Sequence, residues 1–195
     1  MIDLASGRAY RSVMRRLVIC SIGLLLAIAV GAAETRTEVT RATTPEQDLK
    51  ANSAAVQEVY AIPSKMDRVL VLRFKYPADL LEGLEAMVKK EKINNAVILS
   101  AIGSVRGYHY HTVSNRTFPS KDMFVRNADA PADIVSMSGY ILGGRVHAHI
   151  LFASPDKAFG GHLEKGTEVF TFAVVTVGIL DDALDLSRVD DKTLR

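Results

Sequence analysis

The stretch Ile134-Val-Ser-Met-Ser-Gly-Tyr-Ile-Leu142, Gly143-Gly144, Arg145-Val-His-Ala-His-Ile-Leu-Phe-Ala153 decides the fold. It holds two runs of strand length, rich in branched and aromatic residues, separated by two glycines. A short glycine turn between such runs joins neighbouring antiparallel strands. Working outward, residues 168–179 read as a further strand, and residues 68–75, 96–102 and 107–113 as earlier ones. Pro77 ends the first of these, and Asp79 caps the next segment, with Glu82 three residues on as in a capping box. Leu80, Leu81, Leu84, Met87 and Val88 recur at helical spacing, so residues 80–91 form an amphipathic helix whose Glu82, Glu85, Lys89 and Lys90 face water. Residues 119–131 are polar and read as an irregular surface loop. One helix among many strands with short connections predicts an α+β fold, built on a mostly antiparallel mixed sheet with one main amphipathic helix.

The N-terminal third has a different character. Arg8, Arg11, Arg15 and Arg16 precede an apolar run from Leu17 to Val30, followed by Gly31, Ala32 and Ala33. A basic segment, a short apolar core and a small-residue exit describe a secretory signal peptide over residues 1–33, cleaved after Ala32 or Ala33. Met14 is an alternative start, because it opens a compact leader by itself. The apolar run is short against the roughly 20 residues a bilayer needs, so no stable membrane span is expected after cleavage. The alternative is a membrane anchor formed by an uncleaved leader. Residues 34–66 are polar and read as a linker with at most a short helix over 45–59, the compact domain spans 67–180, and 181–195 form an acidic tail.

Charge depends on that leader. The 195 residues carry 24 Lys+Arg and 22 Asp+Glu, a formal net charge of +2. Removing residues 1–33 takes away four Arg and one Asp, leaving 20 basic against 21 acidic groups and a net charge of −1. The one cysteine, Cys20, leaves with it, so the mature chain has neither a disulfide framework nor a thiolate metal site. A nearly neutral exported chain has no global field to attract a polyanion, which argues against nucleic acid.

Three of the five histidines fall close together, His147 and His149 on one strand and His162 after Gly160-Gly161. Residues i and i+2 of a strand share a face, so the first two imidazoles project together with Cβ atoms about 7 Å apart. Val146, Ala148 and Ile150 then turn to the core. The Ser154-Pro155-Asp156 turn and the glycine pair, read as flexible, let His162 approach them. Three neutral imidazoles with an open fourth position suit a catalytic-type zinc site. Glu164, two residues beyond His162, is a candidate general base beside a metal-bound water. His109 and His111 form a second pair of the same spacing, with Tyr108 and Tyr110 opposite, and line the same pocket if their strand neighbours that of His147. No Ser/His/Asp order, phosphate loop or dinucleotide fingerprint is present.

Gly103-Ser-Val, Ile134-Val-Ser-Met-Ser-Gly139, Gly144-Arg-Val-His-Ala-His149 and Gly160-Gly-His-Leu163 together resemble the PPC (also PCC, or DUF296) domain of plants and prokaryotes, from about Val69 to Leu180. The resemblance implies a single PPC-like α+β domain that assembles as a homotrimer. It also implies zinc on the matching His147, His149 and His162. Plant members bind DNA through a separate Arg-Gly-Arg-Pro AT-hook, which this sequence lacks. The expectation is an exported, periplasmic or secreted protein that binds a zinc-type metal and binds or acts on a small-molecule ligand. The alternatives are a DNA-binding regulator, as many relatives are labelled, and a non-catalytic trimeric module.

Overall fold

The computed structural model describes residues 33–40, 59–117, 119–186 and 189. The leader, apart from Ala33, and the proposed short helix, apart from Val59, lie outside them. Eight strands and one helix follow in the order β1 (Thr35–Thr40), β2 (Met66–Lys75), α1 (Leu80–Lys90), β3 (Ala96–Val113), β4 (Lys121–Asn127), β5 (Ala132–Leu142), β6 (Arg145–Ala153), β7 (Ala158–Leu163) and β8 (Glu168–Leu180). Among the described residues no helix is long and apolar enough to cross a membrane.

The strands form one sheet in which β3 is the hub. The path runs β1-β4-β3-β5-β6-β7, β7 returns to pair with β3, and β8 joins β3 to β2. The ladders are antiparallel. β3 can serve so many neighbours because of its length. Its first half pairs with β5 and β8, and its second half with β4 and β7. Residues 96–102 and 107–113 read as separate strands in the sequence, yet they are one strand of 18 residues. The interruption around Gly103 and Gly107 is taken up by register shifts against β8 instead of a chain break.

Helix α1 starts where the cap predicts. Asp79 Oδ1 accepts from the Glu82 amide at 2.9 Å, and Oδ2 accepts from the Gly166 amide at 2.6 Å, which ties the helix N-terminus to the turn before β8. Leu80, Leu81, Leu84 and Val88 are buried, while Met87 packs at the margin of the core. They meet a continuous core that includes Ile98, Val105, Met137, Ile141, Phe152, Val175 and Val177.

Three segments differ from the sequence expectation. The loop expected over 119–131 contains strand β4, whose polar face hid the pattern: only Val125 and the acidic Asp122 are buried along it. Strand β1 lies within the stretch read as a linker. All its side chains are exposed, so its composition carries no core signal, and backbone pairing with β4 holds it. Its ends add polar contacts, Lys121 Nζ to Glu38 Oε2 at 3.1 Å and Tyr108 Oη donating to Glu34 Oε2 at 2.7 Å. The opening residues of the acidic tail fold back, with Leu186 buried against Leu142 and Leu180. Asn95 Nδ2 donates to the Leu184 carbonyl at 3.0 Å there.

Candidate metal centre

His147 and His149 stand on β6, with rings stacked at 5.5 Å between centroids and 11° between planes. By register they share the outer face of the sheet with Tyr140 and Ser138 of β5, while Ala148 and Ile150 are buried on the other face. Val146 is half-buried and packs against the core. His162 comes from β7, directly opposite His149 in the β6–β7 ladder. Its ring meets those of His147 and His149 edge-on at 4.9 and 5.4 Å. One nitrogen from each of the three rings lies within 4.8 Å of the others.

The glycines act differently from the flexible hinge read in the sequence. Gly160 and Gly161 are strand residues of β7, which lies between β6 and β3. A Cβ on Gly160 would run into the Ile150 carbonyl oxygen, and one on Gly161 into that of His111. The pair lets three backbones approach closely, and this sets His162 beside its partners. A tight hairpin brings β7 there, with the Ser154 amide donating to the Lys157 carbonyl at 2.9 Å.

The donor set fits a zinc-type ion. A tetrahedral zinc with nitrogen ligands at 2.0–2.1 Å holds them about 3.3 Å apart, within reach of ring rotation from the observed spacing. Partial desolvation of its ring, followed by the neighbouring His147 and His111, pushes the His149 imidazole below its usual pKa, towards the neutral form that ligates metal. His149 remains exposed and the other two half-buried, so the cluster is open to solvent.

The second histidine pair is divided. His109 Nδ1 donates to the Lys165 carbonyl at 2.7 Å, and this residue is not among the three clustered histidines. His111 stands opposite His162 in the β3–β7 ladder and stacks on it at 4.6 Å and 27°. The link to the cluster therefore runs through β7, not through direct pairing of β3 with β6. Tyr108 and Tyr110 take the opposite face and pack with Phe152 and Phe159. Glu164 Oε1 accepts from His111 Nδ1 at 2.6 Å, so the candidate base is engaged by this fourth histidine. Asp122 Oδ2 lies 4.0 Å from His111 Nε2. Asp122 escaped the sequence reading because its strand did. A cavity of about 720 Å³ opens elsewhere, between Ser104, Asp133, Pro155, Phe170 and Phe172, with no histidine in its lining.

A mostly antiparallel sheet with one short helix, carrying a three-histidine cluster on its outer face, defines the class of protein. Residues 62–181 match the family model of the Plants and Prokaryotes Conserved (PCC) domain, and the chain belongs to that family. Solved structures share the fold. A metal-containing protein of Archaeoglobus fulgidus is 24% identical with a TM-score of 0.53, covering 63% of this chain and 86% of that one. A plant- and prokaryote-conserved protein of Pyrococcus horikoshii is 21% identical with a TM-score of 0.53, covering 63% and 85%. The chain is also 26% identical over 134 residues, 68% of its length, to the bifunctional protein GlmU of Synechococcus sp. (strain JA-3-3Ab), of which it spans 20%.

Proposed function

We propose that the protein holds one zinc-type ion per chain on His147, His149 and His162, and that the solvent-facing side of this centre receives a small-molecule ligand. The observation that carries the reading is the convergence of three imidazole nitrogens within 4.8 Å from two paired strands. The metal-containing relative of Archaeoglobus fulgidus, of the same fold, supports it. A zinc ion on three neutral imidazoles supplies a Lewis acid that polarises a carbonyl or activates a bound water. The cluster's open side leaves room for such a ligand, and Glu164 stands at the cluster's margin beside His111.

The same proposal includes export and assembly. The leader directs the chain out of the cytoplasm, and a homotrimer forms on the outer face of β2, β3 and β8. Val71, Ile102 and Phe172 stand exposed on that face at 68, 58 and 39%. Register places them on one side of the sheet. Contiguous exposed apolar surface of this kind marks an association site.

Elemental analysis of the purified mature protein tests the centre. One zinc per chain, lost in His147→Ala, is expected. Absence of any transition metal would overturn the reading.

A further inference from the structure

His111 is caged on every side. His162 stacks on it at 4.6 Å, and the Phe124 ring lies 4.9 Å away. Glu164 Oε1 accepts from Nδ1 at 2.6 Å, and Asp122 Oδ2 stands 4.0 Å from Nε2. The His111 side chain is only 14% exposed, so its ring has little freedom to turn. Glu164 is itself held. Its amide donates to the His109 carbonyl at 3.0 Å. The fully buried Thr167 hydroxyl accepts from the His109 amide at 3.0 Å and lies 3.0 and 3.1 Å from the His109 and Glu164 carbonyl oxygens, between which its one proton is shared.

We propose that His111, pinned by Glu164, is a positioning residue that fixes the ring plane of His162 within the three-histidine centre. This rests on the metal reading above. Ligand rings are usually oriented by a hydrogen bond from their own second nitrogen. A stacked, hydrogen-bonded neighbour from β3 adds a constraint through the ring face. The constraint reaches His162 from β3 across the β3–β7 ladder, and it reaches Glu164 through the turn that Thr167 ties to β3.

The test measures zinc affinity by chelator competition, the absorption of the cobalt(II)-loaded protein, and thermal unfolding of the metal-free protein. It uses wild type, His111→Ala, Glu164→Ala and Glu164→Gln. Loss of an outer partner of a metal site costs about 10–100-fold in affinity. His111→Ala and Glu164→Ala should each show that loss together with a shifted cobalt spectrum. Glu164→Gln keeps an oxygen acceptor for Nδ1–H and should stay close to wild type. Metal-free unfolding temperatures should not follow the order of affinities. If His111→Ala fails to fold, the two Glu164 variants decide the matter.

Unchanged affinity in His111→Ala and Glu164→Ala, with zinc bound by wild type, would overturn the positioning role alone. An equal loss in Glu164→Gln and Glu164→Ala would assign the effect to charge and also overturn it. Wild type that binds neither zinc nor cobalt would remove the centre itself.

Discussion

His162 stands directly opposite His149 in the β6–β7 ladder and directly opposite His111 in the β3–β7 ladder. One histidine therefore joins the pair on β6 to the long central strand. By lying between β6 and β3, β7 sets the three-histidine cluster against His111, which is distant in the chain.

That placement depends on small residues in β7. Substituting Gly161→Ala forces a Cβ towards the His111 carbonyl, so β7 must move away from β3. Overpacking of this kind costs about 1–3 kcal/mol. Denaturant unfolding should show a lower midpoint with an unchanged slope, and zinc affinity should fall with it. A midpoint equal to wild type would contradict the close-approach argument.

Thr167 has no exposed surface, and its hydroxyl serves β3 and the Glu164 turn together. Thr167→Val keeps the volume but leaves the His109 amide without this acceptor. Burying an unsatisfied group costs about 1–3 kcal/mol. Equilibrium unfolding at neutral pH measures it, and Thr167→Ser should recover most of the loss.

Glu34 titrates below its ordinary value of 4.5, chiefly because Tyr108 donates to its carboxylate, with Arg36 and Lys157 adding attraction. Tyr108 is correspondingly pushed up, by burial and then by that hydrogen bond. A carboxyl depressed on folding contributes stability above its unfolded pKa and loses it as pH falls through the folded value. Unfolding curves from pH 6 downward should therefore steepen below the 4.5 of the free carboxyl, and Glu34→Gln should flatten that limb. Identical curves for the two proteins would show that β1 gains nothing from this carboxylate.

Ile102 is 58% exposed on the outer face of β3 beside Val174 of β8. Ile102→Glu places a charge in the middle of the proposed trimer contact, and a desolvated unpaired charge is costly. Sedimentation should show a trimer for wild type and a monomer for the variant, with the monomer still folded by circular dichroism. A wild-type monomer would end the assembly proposal.

Much of the architecture is local and therefore legible from the chain. The Asp79 cap, the spacing of Leu80, Leu81, Leu84 and Val88, and the strand–Gly–Gly–strand unit around Gly143 depend on neighbours within a few residues. So does the shared face of His147 and His149, because a strand alternates with period two. Those features the amino-acid order determined by itself. Strand β1 and strand β4 bury too little to leave a periodic pattern, and only backbone pairing reveals them. Tertiary structure alone decided that Gly160 and Gly161 are packing residues, that His111 and not His109 reaches the cluster, and that Glu164 and Asp122 flank His111. The physical reason is register: which residue of β3 faces which residue of β7 is set by long-range ladders, and shifting one strand by a single residue turns every side chain to the other face.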